Sequence, residues 1–524
     1  MFSQFIEAIS RLDGAQSPSE IPEDIVHLLP DEITAQDVVK LLAESSDADS
    51  ITTLSATCAI LQSGRRITHA DGDEDALNET ADRIGSSILP VKPDASPDEA
   101  TPDSLALAHK GLLGLRSLQL LADTYSLHLR PQTLLCIAAY ADANTADAWT
   151  SPSTSQLAQE LLASQLGARD VRAKFITETI LTQFLRPLFS AARPPTVTAS
   201  GRKAEFVETP RYTALGREEE ETKPWKYGQR YAVAVFAWAV READKELLRQ
   251  HWHLFTPVLL TLLDETQPAL KIRALGIFRA FWARCPANLM RNTGLAEVFE
   301  QAVFPTVLYL PSLTPEDESV ALLDAAYPVL MEMAGIDPTI TADEPQNDPQ
   351  FTEAQHKLLD KIIREGVVVG YHHAREHIRL VELFCEKLRC IINGMGILAI
   401  KHLKDFIPMV SEIMMDPFGT KYPPALFSAN QLLQSILRTC WPRMAHYSNE
   451  IIQILVLCWL NIEGEDTTSN SPITSKLKPE LTKTADMLAA VMKAAEVDIN
   501  ERAGALIEKE PQLVGLFRER GDAI

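Results

Sequence analysis

Two histidines and a glutamate stand at His373-Ala374-Arg375-Glu376-His377, the H-x-x-E-H spacing of a family of zinc peptidases. On a helix, side chains at i and i+4 share a face, so the two imidazoles could hold Zn²⁺ while Glu376 activates a water, with Glu450 as a third ligand. The surroundings argue against that chemistry. Such peptidases build the site on mixed helix and sheet, strand pattern is missing here, and Arg375 and Arg379 would repel a dication. A five-residue pattern with three fixed positions also arises readily by chance, and the segment reads instead as a basic, partner-facing helix surface. In His251-Trp252-His253 the two imidazoles lie at i and i+2, about 200° apart on a helix, and cannot chelate one ion; one is expected exposed and one packed. Ser475-Lys476-Leu477-Lys478 fits S-x-x-K but falls in a polar stretch with no oxyanion scaffold nearby. Gly394-Met395-Gly396 lacks the later glycine and the preceding strand of a dinucleotide site, and neither G-x-x-x-x-G-K-[ST] nor G-x-S-x-G occurs. The residues support no catalysis, metal site or cofactor.

Binding chemistry is better represented. Trp238, Trp282 and Trp459 lie in apolar helical runs and are expected in the core. Trp225, in Lys223-Pro224-Trp225-Lys226, and Trp441, before Pro442-Arg443, sit at element ends, where aromatic and arginine side chains serve either as interface anchors or to pack a loop onto helices. Basic and aromatic residues interleave with apolar helix along Arg364–Arg379 and Lys404–Arg443. The partner-binding candidates are therefore Trp225, Arg364, Tyr371, His372, Arg375, Arg379, Lys404, Asp416, Trp441 and Arg443.

The chain of 524 residues carries 49 Lys+Arg against 71 Asp+Glu, a formal charge of −22. That balance repels phosphate backbones and argues against a nucleic-acid binder. Its 46% hydrophobic share is ordinary for a folded protein. The seven cysteines (58, 136, 285, 385, 390, 440 and 458) are odd in number, scattered and never spaced as CxxC, which fits an intracellular protein better than a disulfide framework. Met1–Gly14 has no basic n-region or long apolar core, so no signal peptide is expected. The longest apolar runs, Tyr231–Val240 and Ile451–Leu460, are about half a bilayer span, and no membrane segment is expected.

Four hydrophilic segments read as mobile loops: Ser63–Ser104, Arg193–Lys226, Ala334–Phe351 and Asn461–Pro479. They divide the chain into an N-terminal helical segment (1–62), N-terminal repeats (105–192), central repeats (227–333), C-terminal repeats (352–460) and terminal helices (480–524). Between the loops the apolar period is helical. Leu254, Phe255, Val258, Leu259, Leu262 and Leu263 recur at steps of three and four, and Leu275, Phe278 and Trp282 run beside Ala274, Ile277 and Phe281. Two adjacent stripes make each helix too apolar to face solvent widely. Val367–Val369 is the best β-branched run and is too short for a sheet.

A helix pair recurs. Phe255-Thr256-Pro257 opens a helix ending at Leu262-Leu263-Asp264, and Lys271–Leu275 opens a second that stops at Cys285-Pro286. A weaker copy runs from Phe406-Ile407-Pro408 through Met414-Met415-Asp416 to Trp441-Pro442, and Phe304-Pro305 starts a degraded third. The Pro-to-Pro spans are 29 and 34 residues. Pro257 and Pro408 should bend their helices, while Asp264 and Asp416 should tie down the turns. One pair cannot bury its apolar face alone. The expected fold is all-α, resembling a HEAT-repeat α-solenoid with roughly eight to ten pairs at about 40 to 47 residues each.

An ordered set of segments resembles a known family: Lys223-Pro224-Trp225-Lys226, His251-Trp252-His253, Asn292-Thr293-Gly294-Leu295, Tyr309-Leu310-Pro311-Ser312-Leu313-Thr314-Pro315, Asp416-Pro417-Phe418 and Cys440-Trp441-Pro442-Arg443. From about Glu205 to Leu460 the chain is similar to the Tel-two-interacting protein two family, the smallest subunit of the TTT co-chaperone complex. The resemblance implies a non-catalytic α-solenoid bound to Tel-two-interacting protein one, the large solenoid subunit, and to Tel two. It implies support for phosphatidylinositol-kinase-related kinases, with a heat-shock chaperone and its AAA-ATPase co-chaperone, in cytoplasm and nucleus. The other expectation, from charge, is a transport-receptor-like solenoid binding basic protein cargo.

Overall fold

The computed structural model describes residues 2–12, 23–30, 32–43, 50–63, 67, 74–90, 104–142, 147–190, 223–339, 350–466, 474–498 and 500–517. Its longer helices are α1 Ser3–Leu12, α2 Ala35–Ala43, α3 Ser50–Gln62, α4 Glu74–Ile88, α5 Ser104–Tyr125, α6 Pro131–Ala138 and α7 Pro152–Gln165. They continue as α8 Tyr231–Glu242, α9 Lys245–Leu263, α10 Pro268–Arg284, α11 Leu295–Val303, α12 Glu316–Met333 and α13 Glu353–Lys361. The last six are α14 Ile378–Met395, α15 Leu403–Met414, α16 Pro423–Thr439, α17 Met444–Asp466, α18 Thr474–Ala494 and α19 Asn500–Lys509. Among the described residues there is no β-sheet, and the fold is all-α, of the α-solenoid class.

The chain forms two compact units, residues 1–262 with 280–295, and 263–279 with 296–524. In the first, α3 and α4 each pack on α5, and α4 also meets α2 and α6. Every residue from Tyr231 to Val240 of α8 is buried, which accounts for its unbroken apolar sequence. It lies on the π-helical segment Phe175–Leu185, where Trp238 meets Phe175 edge-on at 6.0 Å. The core continues through Phe236, Phe255 and Phe281.

In the second unit, α12, α14, α16 and α18 follow one another in contact, with α17 against α15 and α18. Pro257 and Pro408 lie inside α9 and α15, as their spacing implies. The stops before Pro286 and Pro442 also hold, since α10 ends at Arg284 and α16 at Thr439. Gly396 has φ +55°, a left-handed conformation that a side chain would strain, and this explains the Gly-Met-Gly run as the end of α14.

Several expectations are corrected. Ser63–Ser104 is not a loop throughout: α4 lies within it, burying Ala76, Leu77, Ala81, Ile84 and Ile88. Acidic residues on its outer face and first turn, where they suit the helix dipole, hide that stripe from a composition reading. Asn461–Pro479 is likewise mostly helix, because α17 runs to Asp466 and α18 starts at Thr474, with Leu477 buried. Pro90 follows α4 closely, whereas Pro93, Pro97, Pro102, Pro194-Pro195, Glu218–Glu221 and Glu344-Pro345 lie outside the described residues. Phe304-Pro305 opens a 3-10 turn, Phe304–Leu308, rather than a helix. Val367–Val369 forms no strand, as its shortness implies, and is helical, with Leu358, Leu359, Ile362, Ile363, Val367 and Tyr371 on one inward face. Trp238 and Trp459 are core residues, but Trp282 is only half-buried.

Candidate partner-binding site

The H-x-x-E-H segment does not form one helix face. His373 ends the short helix Val369–Ala374, and His377 lies beyond it at φ −98°, ψ 89°. His377 Nδ1 lies 3.1 Å from Glu316 Oε2, and no group of three metal-ligating side chains occurs among the described residues. His251 breaks the helical backbone of α9 (φ −120°, ψ 16°). His251 and His253 are consequently 6.2 Å apart and both half-buried, not split between core and solvent.

Trp225 is fully buried, stacked on Phe189 at 4.8 Å, so it anchors its own loop instead of presenting a face. Tyr371 is also buried, and burial first, then the nearby Glu412, pushes its hydroxyl well above the ordinary tyrosine range. These two candidates pack inward because their helices place them on apolar faces, a direction that proximity to a loop or to charges did not reveal.

The other eight are exposed and divide between two edges of the second unit. Arg375, Arg379, His372 and Asp416 lie where α12, α14 and α16 begin. Arg379 pairs with Asp317 at the start of α12, and Arg375 Nη1 reaches Glu412 Oε1 at 2.9 Å. Tyr422 donates to Glu382 Oε2 at 2.7 Å. These bonds stitch the loops before α12, α14 and α16 into a row. The two arginines are neutralised within the chain, so the surface is not the free basic face that the sequence suggests. Seven carboxylates (Glu316, Asp317, Glu318, Glu376, Glu382, Glu412 and Asp416) stand there with three cations, Arg375, Arg379 and Lys421. The edge is acidic.

Two apolar side chains project from the same row, Leu313 at 95% exposure and Phe418 at 74%. Both are held out by hydrogen-bonded turns. Asp416 Oδ1 accepts the Phe418 N–H at 2.9 Å, as its turn role implies, and Leu313 N–H donates to Leu310 O at 3.1 Å. With packed helices about 10 Å apart, Leu313 and Phe418 stand about 20 Å apart along the row. Sequence reading quoted both segments without singling out either side chain; a large apolar residue between Pro and polar turn residues was the available signal.

Arg364, Lys404, Trp441 and Arg443 lie toward the opposite edge, near the end of α14 and the starts of α15 and α17. Trp441 is 53% exposed in the 3-10 turn Trp441–Arg443, and Ile397 is 50% exposed beside the end of α14. In that region His402 is fully buried with Nε2 2.9 Å from Asp360 Oδ1, and Lys401 Nζ pairs with the same oxygen at 2.6 Å. In the first unit, Arg169–Asp244 and Arg172–Glu242 pairs at 2.6 and 2.7 Å line a cavity of about 440 Å³.

A helical array whose exposed apolar side chains sit on turns at helix ends, with ion pairs between those ends, defines a protein–protein binding scaffold. Residues 133–421 match the sequence model of the Tti2 family, more than half of the chain. The chain belongs to the Tti2 family, the Tel-two-interacting protein 2 family, and membership carries the general role of a TTT-complex subunit. No curated protein and no solved structure matches it. No described helix is long and apolar enough to cross a membrane.

Proposed function

We propose that this chain is a non-catalytic adaptor subunit of the TTT complex. In that role it binds the large Tel-two-interacting protein one and Tel two, and supports folding, stability and assembly of phosphatidylinositol-kinase-related kinases. A heat-shock chaperone and its AAA-ATPase co-chaperone act with it, in cytoplasm and nucleus. The observation that carries the reading is the family match over 133–421, a stretch whose described elements are all helical and which ends among the turns of the acidic edge. Its mechanism is burial of apolar side chains at helix ends, with charged rim residues fixing register.

Tagged purification of the full chain from native extract is the test. The expected result is two stoichiometric partners, the large solenoid subunit and Tel two. Recovery of the chain alone, or with unrelated stoichiometric partners, overturns the reading. The carboxylate surplus along the loop row also suits a receptor for basic cargo. That alternative predicts salt-sensitive capture of basic peptides in place of those two subunits.

A further inference from the structure

The row of turns before α12, α14 and α16 combines two features that rarely coincide on a solvent-facing edge. Leu313 and Phe418 are among the most exposed large apolar side chains of the second unit, and hydrogen-bonded turns fix both of them outward. Preorganised apolar groups lose little conformational freedom on binding, which is what an interface anchor requires. Around them the arginines are already met by Asp317 and Glu412, leaving Glu318 and Glu376 as exposed carboxylates beyond those pairs. An apolar partner surface alone would leave that charge uncompensated, and an acidic one would be repelled. A second copy of this chain is disfavoured by a formal charge of −22.

We infer that this edge docks a partner polypeptide whose matching strip carries lysine or arginine around two apolar sockets, one for Leu313 and one for Phe418, about 20 Å apart. The inference rests on the adaptor reading and adds the sign and the anchors of the contact. It reverses the expectation of a basic face at Arg375 and Arg379, whose charges are spent holding neighbouring loops in line.

The test uses the full chain and the partners that co-purify with it. Leu313→Ser with Phe418→Ser should weaken the affinity of the complex by at least about tenfold, with an unchanged unfolding midpoint because both side chains are exposed. Glu318→Lys with Glu376→Lys should weaken it as well, and the wild-type complex should weaken as salt rises. A photo-crosslinking residue at position 313 or 418 should label a Lys- or Arg-rich segment of the partner. If the wild type captures no stoichiometric partner, the adaptor reading fails and the inference falls with it. If the wild type captures partners and the Leu313/Phe418 variant retains them equally, the edge assignment alone is overturned. Tighter binding by the lysine variant overturns the sign, and crosslinks to a second copy of the chain overturn the occupant.

Discussion

His402 has no exposed surface, and burial holds its imidazole below the ordinary histidine range. The hydrogen bond to Asp360 acts in the opposite direction, while Lys401 and Arg364 add to the lowering. The Asp360 carboxyl is held below its usual range although burial pushes it up, because Lys401 and His402 bond to it. In the unfolded chain a histidine binds a proton near pH 6.5, whereas the folded ring resists until lower pH. Between those values the unfolded state binds more protons, so stability is lost as pH falls below about 6.5. The urea midpoint of the wild type should drop between about pH 7.5 and 5.5, and that of His402→Gln should drop less. The two loop-end tryptophans should also part. Trp225→Ala should cost about 3–5 kcal/mol through the cavity left beside Phe189, read as a lower thermal midpoint. Trp441→Ala should cost clearly less, about 1 kcal/mol, because about half of its surface is already in solvent.

At the scale of elements, the turn between α9 and α10 shows how a local rule is overtaken by a distant side chain. Asp264 is the obvious capping residue by position, yet it is exposed. Lys271 instead turns back from the first turns of α10, buried, and donates from Nζ to Leu263 O at 2.9 Å and Glu265 O at 3.2 Å. Those carbonyls close the end of α9, where a cation is favoured by the helix dipole. Burial nevertheless lowers the lysine's proton affinity, with Asp264 and Glu265 opposing that effect. Lys271→Met should destabilise by about 1–3 kcal/mol in chemical denaturation, since the carbonyls lose a buried donor. Asp264→Ala should cost less than Lys271→Met, since it removes only a charge that favours the buried lysine and no hydrogen-bond donor. The same logic applies between α16 and α18. There Thr484 Oγ1 donates to Asn430 Oδ1 at 2.8 Å and Gln434 Nε2 donates to Thr484 Oγ1 at 3.0 Å, and all three polar side chains are buried between the helices.

For the molecule as a whole, the all-α class and most helix stops were legible in the sequence. They depend on spacing along the chain: apolar steps of three and four, and prolines that no helix continues through easily. The seven cysteines likewise behave as their scatter implies. All are free thiols, and burial pushes Cys458 up to about 12, leaving it inert. The zinc-like motif failed because a helix end falls inside it, a break that the five residues do not announce. Chelation should accordingly leave the thermal midpoint of purified protein unchanged, whereas a structural metal would make it fall. Helical periodicity fixed which residues share a face of one helix, but not which face meets another helix. Only the tertiary structure decided that Trp225 and Tyr371 point inward, that Arg375 and Arg379 are consumed by ion pairs between loops, and that Leu313 and Phe418 share an acidic edge. The stacking and ion-pair contacts among them join residues about 35 to 60 positions apart, and pairing over such separations is set by how helices stack, a property that no local run of amino acids encodes.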